Sequence, residues 1–303
     1  VTTSARNWKH ATEGPEFENA WSLGADCGID DLDAILKSNL LCNDLGLDPI
    51  TLGATIAAAM ELFEKGKIDE SQTGMALTFG NADAMVALTE MAAYRRGFGN
   101  EIAEGSKRMT AKFGDPDLFM GVKGQEFPAY DPRAIQGMGL GYATSNRGAC
   151  HLRAYTVAAE VVGNPDQMDP RATEGKAELA IAFQNTSTVV DATGLCLFLT
   201  FGTTLEAIRP ILTAATGIEL DDDQMLQVGE RIWNLERLWN NRAGLTAADD
   251  SLPKRMLREP IVAGPAQGEV NRLTEMLPEY YELRGWSPEG EPEMGKLAEL
   301  GID

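Results

Sequence analysis

The sequence predicts an all-α protein built as two helical domains with a Gly/Pro-rich loop region between them. Three observations carry this prediction. Apolar residues recur at helical spacing in one segment after another, and several of those segments stop at a glycine. No segment sustains the period-two alternation of a half-buried strand, so almost no sheet is expected. From Phe113 to Asn146 the chain turns rich in Gly, Pro and Asp, which interrupts helix and marks a junction.

The elements follow in order. Residues 30–44 place Leu32, Ile35, Leu36 and Leu40 on one helical face, with Asp30 or Asp31 as cap and Gly46 as terminator. Residues 52–65 repeat the design with Ile56, Met60 and Phe63 and end at Gly66. Residues 81–95 align Met85, Leu88, Met91 and Ala92, and 99–112 form a shorter, more polar helix. The stretch 113–146 is too long for an idle linker and reads as a structured loop lining a site. Helix resumes from Cys150 to Val162. A long helix from Thr173 to Val190 turns Leu179, Ala182, Phe183 and Thr186 inward. Further helices are expected at 204–215, 222–240, 267–277 and 293–300.

Composition sets the outer bounds. A chain of 303 residues with 44% apolar content can fill two cores. Its formal charge of −20 disfavours nucleic acid and anionic membrane as partners. It is compatible with a small neutral or cationic substrate, or with a carrier that docks a basic face. No apolar run approaches the roughly 20 residues of a membrane span. No leader peptide is visible, and a start at Val1 without Met suggests a piece of something longer. Cys27, Cys42, Cys150 and Cys196 are widely spaced with no C-x-x-C, which reads as reduced thiols in a cytoplasmic protein.

One short pattern occurs twice. Asn43-Asp44-Leu45-Gly46-Leu47-Asp48 and Asp191-Ala192-Thr193-Gly194-Leu195-Cys196 both read (Asn/Asp)-x-x-Gly-Leu-(Asp/Cys), and both follow helical segments. The head residue can meet the edge of a flat heterocycle, the glycine admits close backbone approach, and the leucine can anchor the turn. Two similar ligands, or one ligand with two similar halves, would suit the pair. Two ordinary helix C-caps would also account for it.

Other candidates stand beside this pair. Gly137-Met138-Gly139-Leu140-Gly141-Tyr142 has neither the spacing nor the preceding strand of a dinucleotide fingerprint, so its glycines are expected to admit a close neighbour or ligand. His10 and His151 are the two histidines, which excludes a metal site made of several. His151 sits in a polar cluster with Arg147, Cys150, Arg153 and Tyr155, as a structural or a catalytic histidine. Flanking Arg147 and Arg153 would keep its imidazole neutral. Glu16 and Glu18, read on an extended stretch, would put one carboxylate inward. A carboxylate between Phe17 and Trp21 would be partly desolvated and its pKa raised, unless it is simply a surface acid.

These residues together resemble the C-terminal two-thirds of the tungsten-containing aldehyde:ferredoxin oxidoreductases, over nearly the whole chain. The likeness is densest in Gly14-Pro15-Glu16-Phe17-Glu18, in Cys27-Gly28-Ile29-Asp30-Asp31-Leu32 and in the two turns. It also runs from Gly121 to Arg133 and from Gly137 to Arg153. The resemblance implies helical domains over 1–121 and 122–303, like the family's domains 2 and 3. It assigns Asn43, Asp44, Gly46, Leu47 and Asp48 to one pterin, and Asp191, Gly194, Leu195 and Cys196 to the other, of a tungsten-bispterin cofactor. Mg bridging the pterin phosphates belongs to the same picture. Asn43 stands where family members often carry Asp. Cys196 matches the last ligand of a [4Fe–4S] cluster whose other three cysteines fall in an upstream C-x-x-C-x-x-x-C run that this chain lacks.

Glu18 and His151 match the acid and imidazole beside the tungsten. The resemblance implies that a small aldehyde is oxidised to its carboxylic acid, with His151 hydrogen-bonding the aldehyde oxygen and Glu18 taking up a proton. Electrons would leave through a pterin and the cluster to ferredoxin or another acceptor, in an oligomeric protein. No iron bridge between subunits is expected, because neither histidine follows a helical Glu. A benzoyl-CoA-reducing relative and a helical scaffold without cofactor are the competing readings.

Overall fold

A computed structural model describes residues 14–302, which leaves His10 outside the described residues. Those residues are predominantly helical, as the sequence predicts, with one two-residue antiparallel hairpin of β1 (Gly121–Val122) and β2 (Gln125–Glu126). The chain divides into two compact bodies, Val1–Ala129 and Tyr130–Asp303.

The first body is built on α1 (Phe17–Leu23), α2 (Leu32–Leu45), α3 (Pro49–Glu64), α4 (Glu70–Thr73), α5 (Ala82–Ala93), α6 (Gly99–Ile102) and α7 (Ser106–Lys112). Helix α2 starts where the Asp31 carboxylate accepts from the Ala34 amide at 3.0 Å, and it stops at Gly46 in the left-handed region. Two residues on, Asp48 caps α3 by accepting from the Ile50 amide at 2.9 Å, with Pro49 in the first turn. Helix α3 packs against α1 and α7, and α2 packs against α5. Ile35, Ile56, Met60, Met85 and Leu88 meet in one core, as the sequence predicts, whereas Leu32, expected on the same face as Ile35, is exposed at the first position of α2. Burying each of those core side chains contributes roughly 1.5–3 kcal/mol.

Two sequence expectations change in this body. The Glu16–Glu18 stretch is the start of helix α1, not extended chain. Residues two apart on a helix also diverge, by about 200°, so one acid still points in and the other out. The expected 99–112 helix breaks into α6 and α7 at Gly105, whose φ of 81° no helix accommodates.

The second body centres on α9 (Lys176–Thr193). It is surrounded by α8 (Gln136–Thr144), α11 (Asp222–Arg242), α13 (Leu273–Arg284) and a 3₁₀ turn at Leu152–Ala154. Helices α10 (Leu205–Thr216), α12 (Lys254–Arg258) and α14 (Met294–Glu299) complete it. Part of its core is polar. Gln184 donates to the Thr144 hydroxyl at 3.0 Å and accepts from the Tyr280 hydroxyl and the Arg284 guanidinium, each at 2.7 Å. Fully buried ion pairs join Lys176 to Glu160 at 2.6 Å and Arg237 to Asp250 at 2.8 Å.

That polar core explains why the inward face of the 173–190 helix differs from expectation. Ala180, Gln184 and Ser187 are buried, whereas Ala182 is exposed and Phe183 and Thr186 are half-buried. An apolar stripe marks the buried face only when the neighbours are apolar too. The expected loop over 113–146 is likewise a loop only up to residue 135, apart from a short 3₁₀ turn and the hairpin. Gln136–Thr144 is a wholly buried helix, with no strand leading into it. A Cβ on Gly137 would lie 2.6 Å from the Glu160 carboxylate, one on Gly141 would lie 2.8 Å from the Ala154 methyl, and one on Gly139 would collide with Asn271. The glycines thus admit close neighbours from within the chain. The expected 150–162 helix is instead the 3₁₀ turn and a π-turn at Ala158–Val162, and the 267–277 helix begins only at Leu273.

Candidate functional site

The two copies of the sequence pattern fold as one repeated structural unit. In each, a helix ends on a left-handed glycine, Gly46 (φ 70°, ψ 39°) or Gly194 (φ 77°, ψ 8°). In each, a half-buried leucine follows, Leu47 or Leu195. The sixth residue then takes the N-cap position of the next helix: Asp48 (φ −76°, ψ 113°) before α3, and Cys196 (φ −66°, ψ 129°) before a 3₁₀ turn at Leu197–Phe201. The helix C-cap account is therefore right about the local geometry. A Cβ built on either glycine meets nothing within 4 Å, as also at the helix-ending Gly74 and Gly217, so what sets the pair apart is the shared sequence pattern and the capping sixth residue. The backbone of both turns is open to a flat ligand.

The copies differ in how their polar groups are engaged. Asp48 spends a carboxylate oxygen on capping α3, while Asn43 and Asp44 are exposed. Asp191 is held by the Arg153 guanidinium at 3.0 Å, and Arg153 also meets Glu236 at 3.0 Å. Cys196 presents an exposed thiol, whereas Cys27, Cys42 and Cys150 are buried, and all four are free.

Glu18 lies in the first turn of α1 and is 8% exposed. Its carboxylate accepts from the Ala129 amide at 2.7 Å. Burial raises its pKa above the usual carboxylate value, and the hydrogen bond from Ala129 offsets part of that rise. Glu16, at the N-cap position, is exposed.

His151 belongs to the second body and packs among aromatic rings. The Tyr130 ring lies 5.7 Å from it and the Tyr155 ring 6.1 Å, centroid to centroid, and the two tyrosine hydroxyls meet at 2.7 Å. Tyr155 in turn packs edge-on against Phe201 at 5.7 Å. Desolvation lowers the imidazole pKa to about 4, and the Arg147 charge adds to the effect. The ring is neutral at physiological pH. Of the two arginines flagged by sequence, only Arg147 contributes, bonded to the Cys150 sulfur at 2.9 Å, because Arg153 is neutralised by Asp191 and Glu236.

Sequence reasoning overlooked Tyr130 as a partner of Tyr155, and with it the aromatic line from His151 to Phe201. The signal was present in Phe198 and Phe201, three apart beside Cys196, a spacing that puts both rings on one side of a 3₁₀ turn.

The donor set suits the implied cofactors unequally. Open glycine turns with exposed polar heads suit a pterin edge. A cluster fits only in part: Cys196 offers one thiolate, and among the described residues no three His, Cys, Asp or Glu are grouped to hold a metal. The remaining ligands would have to come from outside this chain. Among the described residues, no helix is long and apolar enough to cross a membrane.

Comparison with known proteins bears on these features. The family model "Aldehyde ferredoxin oxidoreductase, domains 2 & 3" matches residues 1–302. The chain is 49% identical over 295 residues to the tungsten-containing aldehyde ferredoxin oxidoreductase of Pyrococcus furiosus, and 48% identical to that of Thermococcus kodakarensis. Each match covers 96% of this chain and 49% of the relative, so the chain spans about half the length of these enzymes. The active-site complex BamBC of benzoyl coenzyme A reductase shares the fold, with a TM-score of 0.74 at 18% identity, over 96% of this chain and 50% of that one. The chain belongs to the aldehyde ferredoxin oxidoreductase family and carries that family's helical domains 2 and 3.

Proposed function

We propose that this chain supplies the two helical domains of a tungsten-dependent enzyme that oxidises aldehydes to carboxylic acids and passes the electrons through a [4Fe–4S] cluster to ferredoxin. The repeated glycine turn carries the reading. A bispterin cofactor has two like halves, and the chain offers two like turns with open backbone, one in each body. Asn43, Asp44 and Asp48 would hold one half, with Mg at the pterin phosphates, and Asp191, fixed by Arg153, the other. A bound tungsten-bispterin group supplies a two-electron acceptor for converting aldehyde plus water to carboxylic acid, two protons and two electrons.

The chain's own residues handle binding and protons. Neutral His151 can donate one N–H to the aldehyde oxygen without adding charge. Glu18, its basicity raised by burial, takes up a proton as the acid forms. Cys196 contributes its exposed thiolate to the cluster, on the side where electrons leave. Free thiols throughout fit a cytoplasmic setting.

The test uses the full-length protein grown with tungstate. The wild type oxidises an aldehyde and reduces a one-electron dye, while Cys196→Ala retains tungsten, loses iron and no longer reduces the dye. An iron-replete, fully active Cys196→Ala protein would overturn the assignment.

A further inference from the structure

The second body holds a cavity of about 440 Å³ between α13, the 285–293 loop and the start of α14. None of the residues assigned above to cofactor, substrate or cluster lines it. Tyr281 and Trp286 form part of its wall, with ring centroids 5.9 Å apart. Their polar atoms are engaged in the core: the Tyr281 hydroxyl donates to Asp250 at 2.6 Å, and the Trp286 indole N–H donates to Asn234 at 2.7 Å. The two residues therefore offer the cavity ring carbon, and Pro278 and Pro288 extend the apolar wall.

The wall is held in place before any ligand arrives. The Glu289 carbonyl accepts from the Ala247 amide at 3.2 Å, the Gly290 carbonyl accepts from the Arg237 guanidinium at 2.7 Å, and Trp286 bridges to Pro292. A preformed site spares a ligand the cost of ordering it.

Charge then narrows what fits. The charged residues in the lining are two exposed acids, Glu282 and Glu293, with no lysine, arginine or histidine beside them. Glu293 stands at the N-cap position of α14, yet its side chain makes no capping bond, unlike Asp48 before α3. Among the described residues neither carboxylate has an ion-pair or hydrogen-bond partner. The cations close by are already engaged. Lys296, whose stem packs on Gly285, meets Glu230 at 3.3 Å and Glu299 at 3.1 Å, and Arg237, over the Trp286 ring, meets Asp250 at 2.8 Å. Aromatic faces and carboxylates both attract a cation, and a ring wall also takes up apolar surface.

We propose that this cavity binds a small organic cation, an ammonium or guanidinium head on an apolar body. The body lies against Tyr281 and Trp286, and the head meets Glu282 and Glu293. A cavity of about 150 Å³ accepts benzene, so this one has room for a phenyl ring with its alkyl arm. The site is independent of the aldehyde-oxidising reading, and its test stands whether or not an aldehyde is oxidised.

The experiment is calorimetric titration of the full-length protein with three probes that share a phenylalkyl body: 2-phenylethylammonium, 2-phenylethanol and 3-phenylpropionate. The ammonium binds about tenfold more tightly than the alcohol, and the carboxylate more weakly than either. Added salt weakens binding of the ammonium and spares the alcohol. The double variant Glu282→Gln with Glu293→Gln lowers affinity for the ammonium by about tenfold and leaves the alcohol within about twofold. Ala247→Phe fills the cavity and abolishes binding of the ammonium.

Equal affinity for the ammonium and the alcohol overturns the proposal, as does full ammonium affinity in the double variant or in Ala247→Phe. Should Ala247→Phe not fold, the double variant decides alone, because both of its positions are exposed.

Discussion

Arg153 meets Asp191 at 3.0 Å and so ties the segment that carries His151 to the head of the second glycine turn. The same guanidinium reaches Glu236 on α11, and its side chain is only 13% exposed. One cation thus fixes two candidate site elements against a third.

Arg153→Gln keeps a polar side chain but removes the cation that faces the Asp191 and Glu236 carboxylates. It should cost about 2 kcal/mol of stability, the scale of a charged hydrogen bond left unmade, and should lower cofactor retention. Urea unfolding and metal analysis of the variant check this. Wild-type values in both would show that Asp191 needs no partner.

Glycine substitutions separate packing from backbone strain. Gly139→Ala drives a methyl into Asn271 and should destabilise by about 1–3 kcal/mol, in spite of alanine's helix preference. Gly46→Ala meets open space and bears only the left-handed penalty of about 1–2 kcal/mol. Its larger effect should fall on cofactor binding. Thermal unfolding of both variants, with tungsten content, distinguishes the two costs.

His151 makes stability depend on pH with a defined sign. The unfolded imidazole binds a proton below about 6.5 and the folded one only below about 4. The unfolded state therefore holds more protons between those values, and stability falls as pH drops through the window, by up to about 3 kcal/mol. His151→Gln removes this contribution. The difference between wild type and variant in unfolding free energy should change between pH 7 and pH 4.5, and an unchanged difference would contradict the burial of the ring.

Glu18 has the opposite sign. Its folded pKa lies above the ordinary 4.5, so the folded state keeps the proton to higher pH, and stability falls as pH rises through that value. Glu18→Gln removes a buried charge and should raise the melting temperature at pH 7.5, with the gain fading below pH 4.5. Turnover should fall on the order of a hundredfold or more, the contribution of a positioned proton acceptor, with tungsten retained. A variant that is stabler and equally active would end the assigned role.

The helices of the first body were legible because their apolar stripes face apolar partners and their ends carry Asp31, Gly46 and Asp48 as local signals. The second body was harder to read. Its central helix turns Gln184 into a core of tyrosine and arginine, and α8 hides behind three glycines that record contacts with Glu160, Asn271 and Ala154. Neither leaves a local signature, because the partners lie far away in sequence. The repeated turn was legible as a pattern. Its geometry, with the sixth residue capping the next helix in both copies, was not, since Cys196 is a poor cap by type.

The most direct measurement is tungsten and pterin content of the full-length protein, matured with tungstate, for the wild type and for a variant with Gly46→Val and Gly194→Val together. Equimolar tungsten is expected in the wild type, with aldehyde-dependent dye reduction, and both are lost in the variant while each body keeps its helical content. A wild type that matures without tungsten, or a valine variant that retains it in full, would contradict the assignment of the two turns to one bispterin cofactor.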